Sequence, residues 1–193
     1  GALAWGIGST EAEHALATGT LRVTRPRTMR VRLNGQLPDG VTAKDLSLAV
    51  ISRHGSAGGN SYAVEYAGSA VQALDIEARL TLCNMATEFS AMTGLIAPDE
   101  KTFAYLEGRR FAPRGDTWLR AVEHWRSLVS DEEATFDREI EIDAGRLEPM
   151  ITWGTSPQHA VGISERVPEL AASGTSTSPT SRRGSSAAKP LST

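Results

Sequence analysis

The chain has 193 residues, 40% of them hydrophobic and 22% charged, the balance of an ordinary globular protein. A formal net charge of -3 provides no basic footprint for nucleic acid, and no apolar run reaches the ~20 residues needed to span a bilayer. A single cysteine excludes an internal disulfide and suits a reducing compartment, while a thiolate-held iron–sulfur cluster needs about three or four such ligands.

Gly1 to Gly8 is apolar and glycine-punctuated, which suits close backbone packing before a helix. The chain enters this patterned sequence without Met or a signal-like opening, so export is not indicated and it reads as part of a longer protein. Thr10-Glu11-Ala12-Glu13 has capping-box spacing and predicts a helix over 11–18 that stops at Gly19. Thr28 to Leu33 alternates as a half-exposed strand, and Asn34-Gly35 is a strong turn signal. Arg22, Arg25, Arg27, Arg30 and Arg32 form the one dense basic stretch. No aromatic residues are interleaved, so it reads as a solvated strand face rather than a phosphate track.

Pro38-Asp39-Gly40 makes a second turn, and Thr42-Ala43-Lys44-Asp45 opens a capped helix with Leu46, Ala49 and Val50 inward. His54 to Asn60 is glycine-rich but follows a helix, precedes the strand Tyr62 to Tyr66 and lacks a Lys-Ser/Thr pair. It reads as a tight connection, not a phosphate cradle.

Ala70 to Gly94 organises the rest. Leu80 to Glu88 places the thiol of Cys83, the carboxamide of Asn84 and the carboxylate of Glu88 within two turns. If the run is helical, Asn84 and Glu88 stand at i and i+4 on one face. A polar pair within an apolar helix costs stability unless it has partners. Structural and functional readings of that pair stand even. Cys83, flanked by apolar residues, reads as a buried inert thiol. For Glu65 and Glu77 the favoured reading is structural, as carboxylates paired with Arg79 or a helix terminus.

Asp99 can cap a helix over 101–107 that ends at Gly108, and Pro113 to Asp116 is a break. Trp118, Val122, Trp125 and Val129 recur at 4, 3 and 4 residues, as an amphipathic helix packed through two tryptophans would. Phe136 to Ile142 alternates as a strand, and Val161 to Val167 can be a last extended piece. His14, His54, His124 and His159 lack zinc spacing, and no nucleophile-elbow motif occurs. Helices and strands alternate, which argues an α/β fold. Residues 1–168 carry that pattern, and 169–193 is a Ser/Thr/Pro-rich stretch expected to be disordered.

The residues also resemble a family. Leu82-Cys83-Asn84-Met85 with Glu88, followed by Gly94-Leu95-Ile96-Ala97-Pro98-Asp99, is similar to the aconitase family, most closely its isopropylmalate isomerase branch. Further blocks recur in the same order: Gly1 to Glu11, Gly40 to Asp45, Val64 to Gly68, Phe136-Asp137 and Thr152-Trp153-Gly154-Thr155-Ser156-Pro157. Each is weak alone; their order and spacing are specific, and the likeness runs nearly to Pro168.

The resemblance implies part of a three-layer α/β catalytic region, incomplete at both ends, from a cytoplasmic hydro-lyase of leucine biosynthesis. The implied reaction isomerises 2-isopropylmalate and 3-isopropylmalate by dehydration and rehydration. A 4Fe-4S cluster would act as Lewis acid in the intact enzyme, with its ligand cysteines absent from this chain. The implied partners are a small subunit and a 2-hydroxy dicarboxylic acid, with no nucleic acid and no membrane. In the family pattern Asn84 and Glu88 line the site, Glu88 hydrogen-bonding the cluster-bound water or hydroxyl and Asn84 supporting it. Two departures stand out. Gly58-Gly59-Asn60-Ser61 replaces a Gly-Gly-Thr-Gly loop, and Phe89-Ser90-Ala91 replaces a small, glycine-centred pattern. The alternatives are homoaconitate hydratase or another hydro-lyase of the family and, in another class, a non-catalytic α/β binding module. This chain alone is expected to be inactive.

Overall fold

The computed structural model describes residues 7–168. The expected tail over 169–193, and most of the opening glycine-rich stretch, lie outside them.

Helix α1 (Ser9–Thr18) ends at Gly19, whose φ of 66° is the left-handed cap the sequence predicts. Its start lies earlier than the Thr10 box: Gly8 is the N-cap, and Glu11 reaches back to accept the Gly8 N–H at 2.9 Å. Strand β1 (Arg27–Asn34) leads through the turn at 39–40 into α2 (Ala43–His54). Thr42 and Asp45 cap α2, with the Asp45 carboxylate accepting from both the Thr42 N–H and its hydroxyl. The glycine loop then delivers the chain to β2 (Tyr62–Ala67).

What reads as one central stretch is two helices and a run of turns. Helix α3 (Ser69–Ala73) stops at Leu74, and Asp75 caps α4 (Ile76–Asn84) by accepting the Ala78 N–H. After residues 85–90 comes β3 (Thr93–Leu95). Helix α5 (Glu100–Leu106) is capped by Asp99 as expected, and α6 (Asp116–Arg126) follows the Pro113–Gly115 break. Trp125 stacks on Phe103 at 6.1 Å and meets Trp118 edge-on at 5.6 Å. No residue of α6 is fully buried, and Val129 lies past its end. Strand β4 (Arg138–Asp143) is followed by β5 (Met150–Thr152) and β6 (Ala160–Gly162), an antiparallel pair. The last extended piece is thus shorter than 161–167.

Strands β3-β2-β1-β4 form one parallel sheet, so the α/β expectation holds. Asn34-Gly35 therefore leads out of a parallel strand rather than round a hairpin. Side chains alternate between the two faces. Met29, Val31, Leu33, Val64, Tyr66, Ile140 and Ile142 share a core with Leu46, Ala49 and Val50 of α2 and Leu82 of α4.

The other face carries charge. Arg30 stands in register with Glu65 and Glu139, and Arg32 with Glu141. The expectation of a solvated arginine face fails at Arg30, which is 5% exposed. Its guanidinium pairs with Glu65 at 2.9 Å and lies over the Phe136 ring at 3.8 Å. The aromatic partner sits 106 positions away in sequence, beyond any local pattern. Arg32, half-exposed, pairs with Glu139 at 3.4 Å.

Candidate functional site

Asn84 is the last residue of α4, and the helix does not continue to Glu88. From Cys83 onward the carbonyls accept from the N–H three residues ahead: Cys83 from Ala86, Asn84 from Thr87, Met85 from Glu88 and Ala86 from Phe89. The pair is therefore not on one helical face, contrary to the i, i+4 reading.

The reason is Phe89. Its ring is 1% exposed and lies against Gly58 and Gly59, while its carbonyl accepts the Gly59 N–H at 2.9 Å. Burying that ring and still reaching β3 requires the chain to leave the helix.

The two segments that depart from the family pattern thus meet in one contact, made through the retained Gly58 and Gly59. A Cβ on Gly59 would sit 2.7 Å from the Phe89 ring, and one on Gly58 would overlap it. Ser61 and Ser90, within these segments, adopt φ of 68° and 62°. Both are left-handed conformations that favour glycine.

Although they leave the common helix, Asn84 and Glu88 border one cleft of about 460 Å³. Its other walls are Lys44 and Leu48 from α2, Thr81 and Met85, and the turn Thr152 with Gly154 to Pro157. Three of the sequence blocks singled out above, spread over more than a hundred positions, meet here.

Three ties hold the turn in place. The Asp45 carboxylate accepts the Met150 N–H at 2.7 Å, pinning β5 to the first turn of α2. The Gln158 side-chain carbonyl accepts from the Ser56 N–H and hydroxyl, both at 3.1 Å. Trp153 stacks on His159 at 5.7 Å, which leaves room only for glycine at 154, where a Cβ would lie 2.6 Å from the imidazole. Burial raises the Asp45 carboxyl, yet its bonds from Thr42 and Met150 together hold it below its ordinary value. It is a clamp, ionised at neutral pH.

The remaining expectations sort cleanly. Glu65 does not pair with Arg79; it takes Arg30 and the Ser130 hydroxyl. Arg79, 5% exposed, instead grips both oxygens of Asp99 at 2.7 and 2.6 Å. Glu77 lies exposed in the first turn of α4, where a carboxylate suits the helix dipole. A larger cavity of about 560 Å³ lies beside these pairs, lined by Arg30, Glu65, Arg79 and Asp99. Those four charges are matched with one another within the chain, whereas Asp131 and Glu132, which also line it, have no ion pair among the described residues. The cleft at Asn84 and Glu88 is different: neither side chain has an ion pair or hydrogen bond among the described residues.

Lys44 is the functional candidate that sequence reasoning missed. It is legible only as part of a helix start and of the Gly40 to Asp45 block.

The described residues include no group of three or more His, Cys, Asp or Glu able to hold a metal ion. Cys83 is half-buried, with its thiol pushed up to about 11 by burial, against a smaller opposing effect of Arg79. A high-pKa, partly enclosed thiol is a poor cluster ligand. The residues present do not fit a 4Fe-4S cluster as its ligands. No described helix is long and apolar enough to cross a membrane.

Residues 1–191 match the Aconitase family (aconitate hydratase). Over 169 residues, 88% of this chain, the sequence is 58% identical to the 3-isopropylmalate dehydratase large subunit 1 of Bradyrhizobium diazoefficiens. The chain spans about a third of that relative, 35% of its length.

Proposed function

Because the chain belongs to the aconitase family, we propose that it forms part of the large subunit of a 3-isopropylmalate dehydratase, a hydro-lyase of leucine biosynthesis. The substrate would be 2-isopropylmalate, the partner a small subunit and the compartment the cytoplasm. The observation that carries the reading is the convergence of Asn84, Glu88 and the Thr152–Pro157 turn on one cleft.

In this reading the Glu88 carboxylate hydrogen-bonds the substrate hydroxyl that leaves and returns, and manages its proton. The Asn84 carboxamide holds the substrate in register beside it. Neither side chain is spent on an internal partner, so both are available to a ligand. The 4Fe-4S cluster of the intact enzyme would be held by residues outside this chain.

The test is a chimera in which residues 7–168 replace the matching segment of the Bradyrhizobium large subunit, assembled with its small subunit. The chimera should isomerise 2-isopropylmalate. Glu88→Gln should lower kcat by about a hundredfold or more, and Asn84→Ala by less, with melting temperatures unchanged. An active chimera indifferent to both substitutions would remove these residues from the site.

A further inference from the structure

We propose that Lys44 is the anion-recognition residue of this cleft, its ammonium receiving a carboxylate of a small hydroxy-dicarboxylic acid. The proposal rests on the reading of the cleft as a substrate site and adds a residue and a ligand group to it.

An exposed lysine ordinarily needs no explanation. Lys44 differs in three respects. First, it is the only cation among the residues lining the cleft, where Glu88 is the only carboxylate. Neither charge pairs with the other or with any described residue. A dicarboxylate presented to Glu88 needs a positive charge nearby, and the cleft walls hold one.

Second, the position opposes local preference. Lys44 occupies the first turn of the 12-residue α2, where the helix dipole is already positive and an acidic residue is favoured. Asp45, the neighbouring carboxylate, directs its oxygens to Thr42 and the Met150 N–H and forms no ion pair with Lys44. The Lys44 ammonium is thus left without an ion-pair partner among the described residues, at the edge of the cleft.

Third, the placement is rigid. The Asp45–Met150 bond of 2.7 Å fixes the backbone beside Lys44 to the strand that ends at Thr152. The ammonium's anchor and the hydroxyls of Thr152, Thr155 and Ser156 thus border the same cleft as one unit. Positioning of this kind reduces the ordering cost of binding.

The experiment is a chemical-shift titration of the assembled chimera, labelled within residues 7–168, with 2-isopropylmalate to millimolar concentration. Wild type, Lys44→Met and Lys44→Arg are compared, each checked by thermal melting. Lys44→Met should keep the fold and weaken binding about tenfold, while Lys44→Arg should restore most of it. Added salt should weaken the wild type more than Lys44→Met. Equal affinity in wild type and Lys44→Met, with shifts still at Asn84 and Glu88, would overturn the role of Lys44 and leave the site reading standing. No shift at any cleft residue in the wild type would overturn both.

Discussion

Arg30 and Glu65 meet across the β1–β2 ladder, 2.9 Å apart, with side chains 7% and 19% exposed. Each is held by something further: Arg30 by the Phe136 ring, Glu65 by the Ser130 hydroxyl. Removing one member strands the other's charge in a poorly solvated place. Arg30→Met should therefore cost about 3 kcal/mol in urea unfolding. Adding Glu65→Gln should return part of that loss, and simple additivity of the two would show that the pair is not coupled.

Ser61 and Ser90 hold left-handed backbone that a Cβ disfavours. Ser61→Gly and Ser90→Gly should each raise stability by about 0.5–1 kcal/mol. The increment is the relief of strain less the added freedom of glycine in the unfolded chain. A lower melting temperature in either variant would contradict the strained conformation.

Gly59 and Phe89 are complementary. Gly59→Ala places a methyl 2.7 Å from the ring and should cost about 1–3 kcal/mol. Phe89→Ala removes a fully buried ring and should cost about 3–5 kcal/mol. The double variant should lose less than the sum, because the methyl then enters vacated space. Denaturant midpoints of the four proteins measure this.

Asp99 has its pKa lowered from 3.8 to about 2, first by its hydrogen bond from Arg79. The folded value lies below the unfolded one, so the Asp99 carboxylate adds stability that is fully present above about pH 4. That contribution fades as pH falls toward about 2. Asp99→Asn should thus be less stable than wild type at pH 7, with a gap that narrows below pH 4. A gap independent of pH would mean that only the hydrogen-bond geometry matters.

Cys83 has its thiol pushed up to about 11, so little of it is thiolate near neutrality. In the folded chain it should react with a disulfide reagent at pH 8 far more slowly than in urea. Equal rates would show the thiol to be exposed.

Much of the local structure is legible in the sequence. The α2 cap at Thr42, the Asp99 cap of α5, the Gly19 stop and the strands near Thr28, Tyr62 and Phe136 lie within a few residues of their predicted places. These depend on side chains bonding to their own neighbourhood, which a short window contains. The central stretch misleads because local helical preference yields there to the burial of Phe89 against a loop some thirty residues earlier. Arg30 misleads for the same reason: alternation assigns it to a face, but not to what covers that face.

The sequence by itself determined the family and the α/β class and singled out Asn84 and Glu88 as candidates, since motif order and capping chemistry are written along the chain. Only the tertiary structure decided that these two residues leave a common helix yet share a cleft, and that Lys44 and the Thr152–Pro157 turn join them. Those placements depend on a carboxylate at Asp45 bonding an amide at Met150, 105 positions away. Such a bond forms only after the sheet has brought its ends together, and no local pattern encodes it.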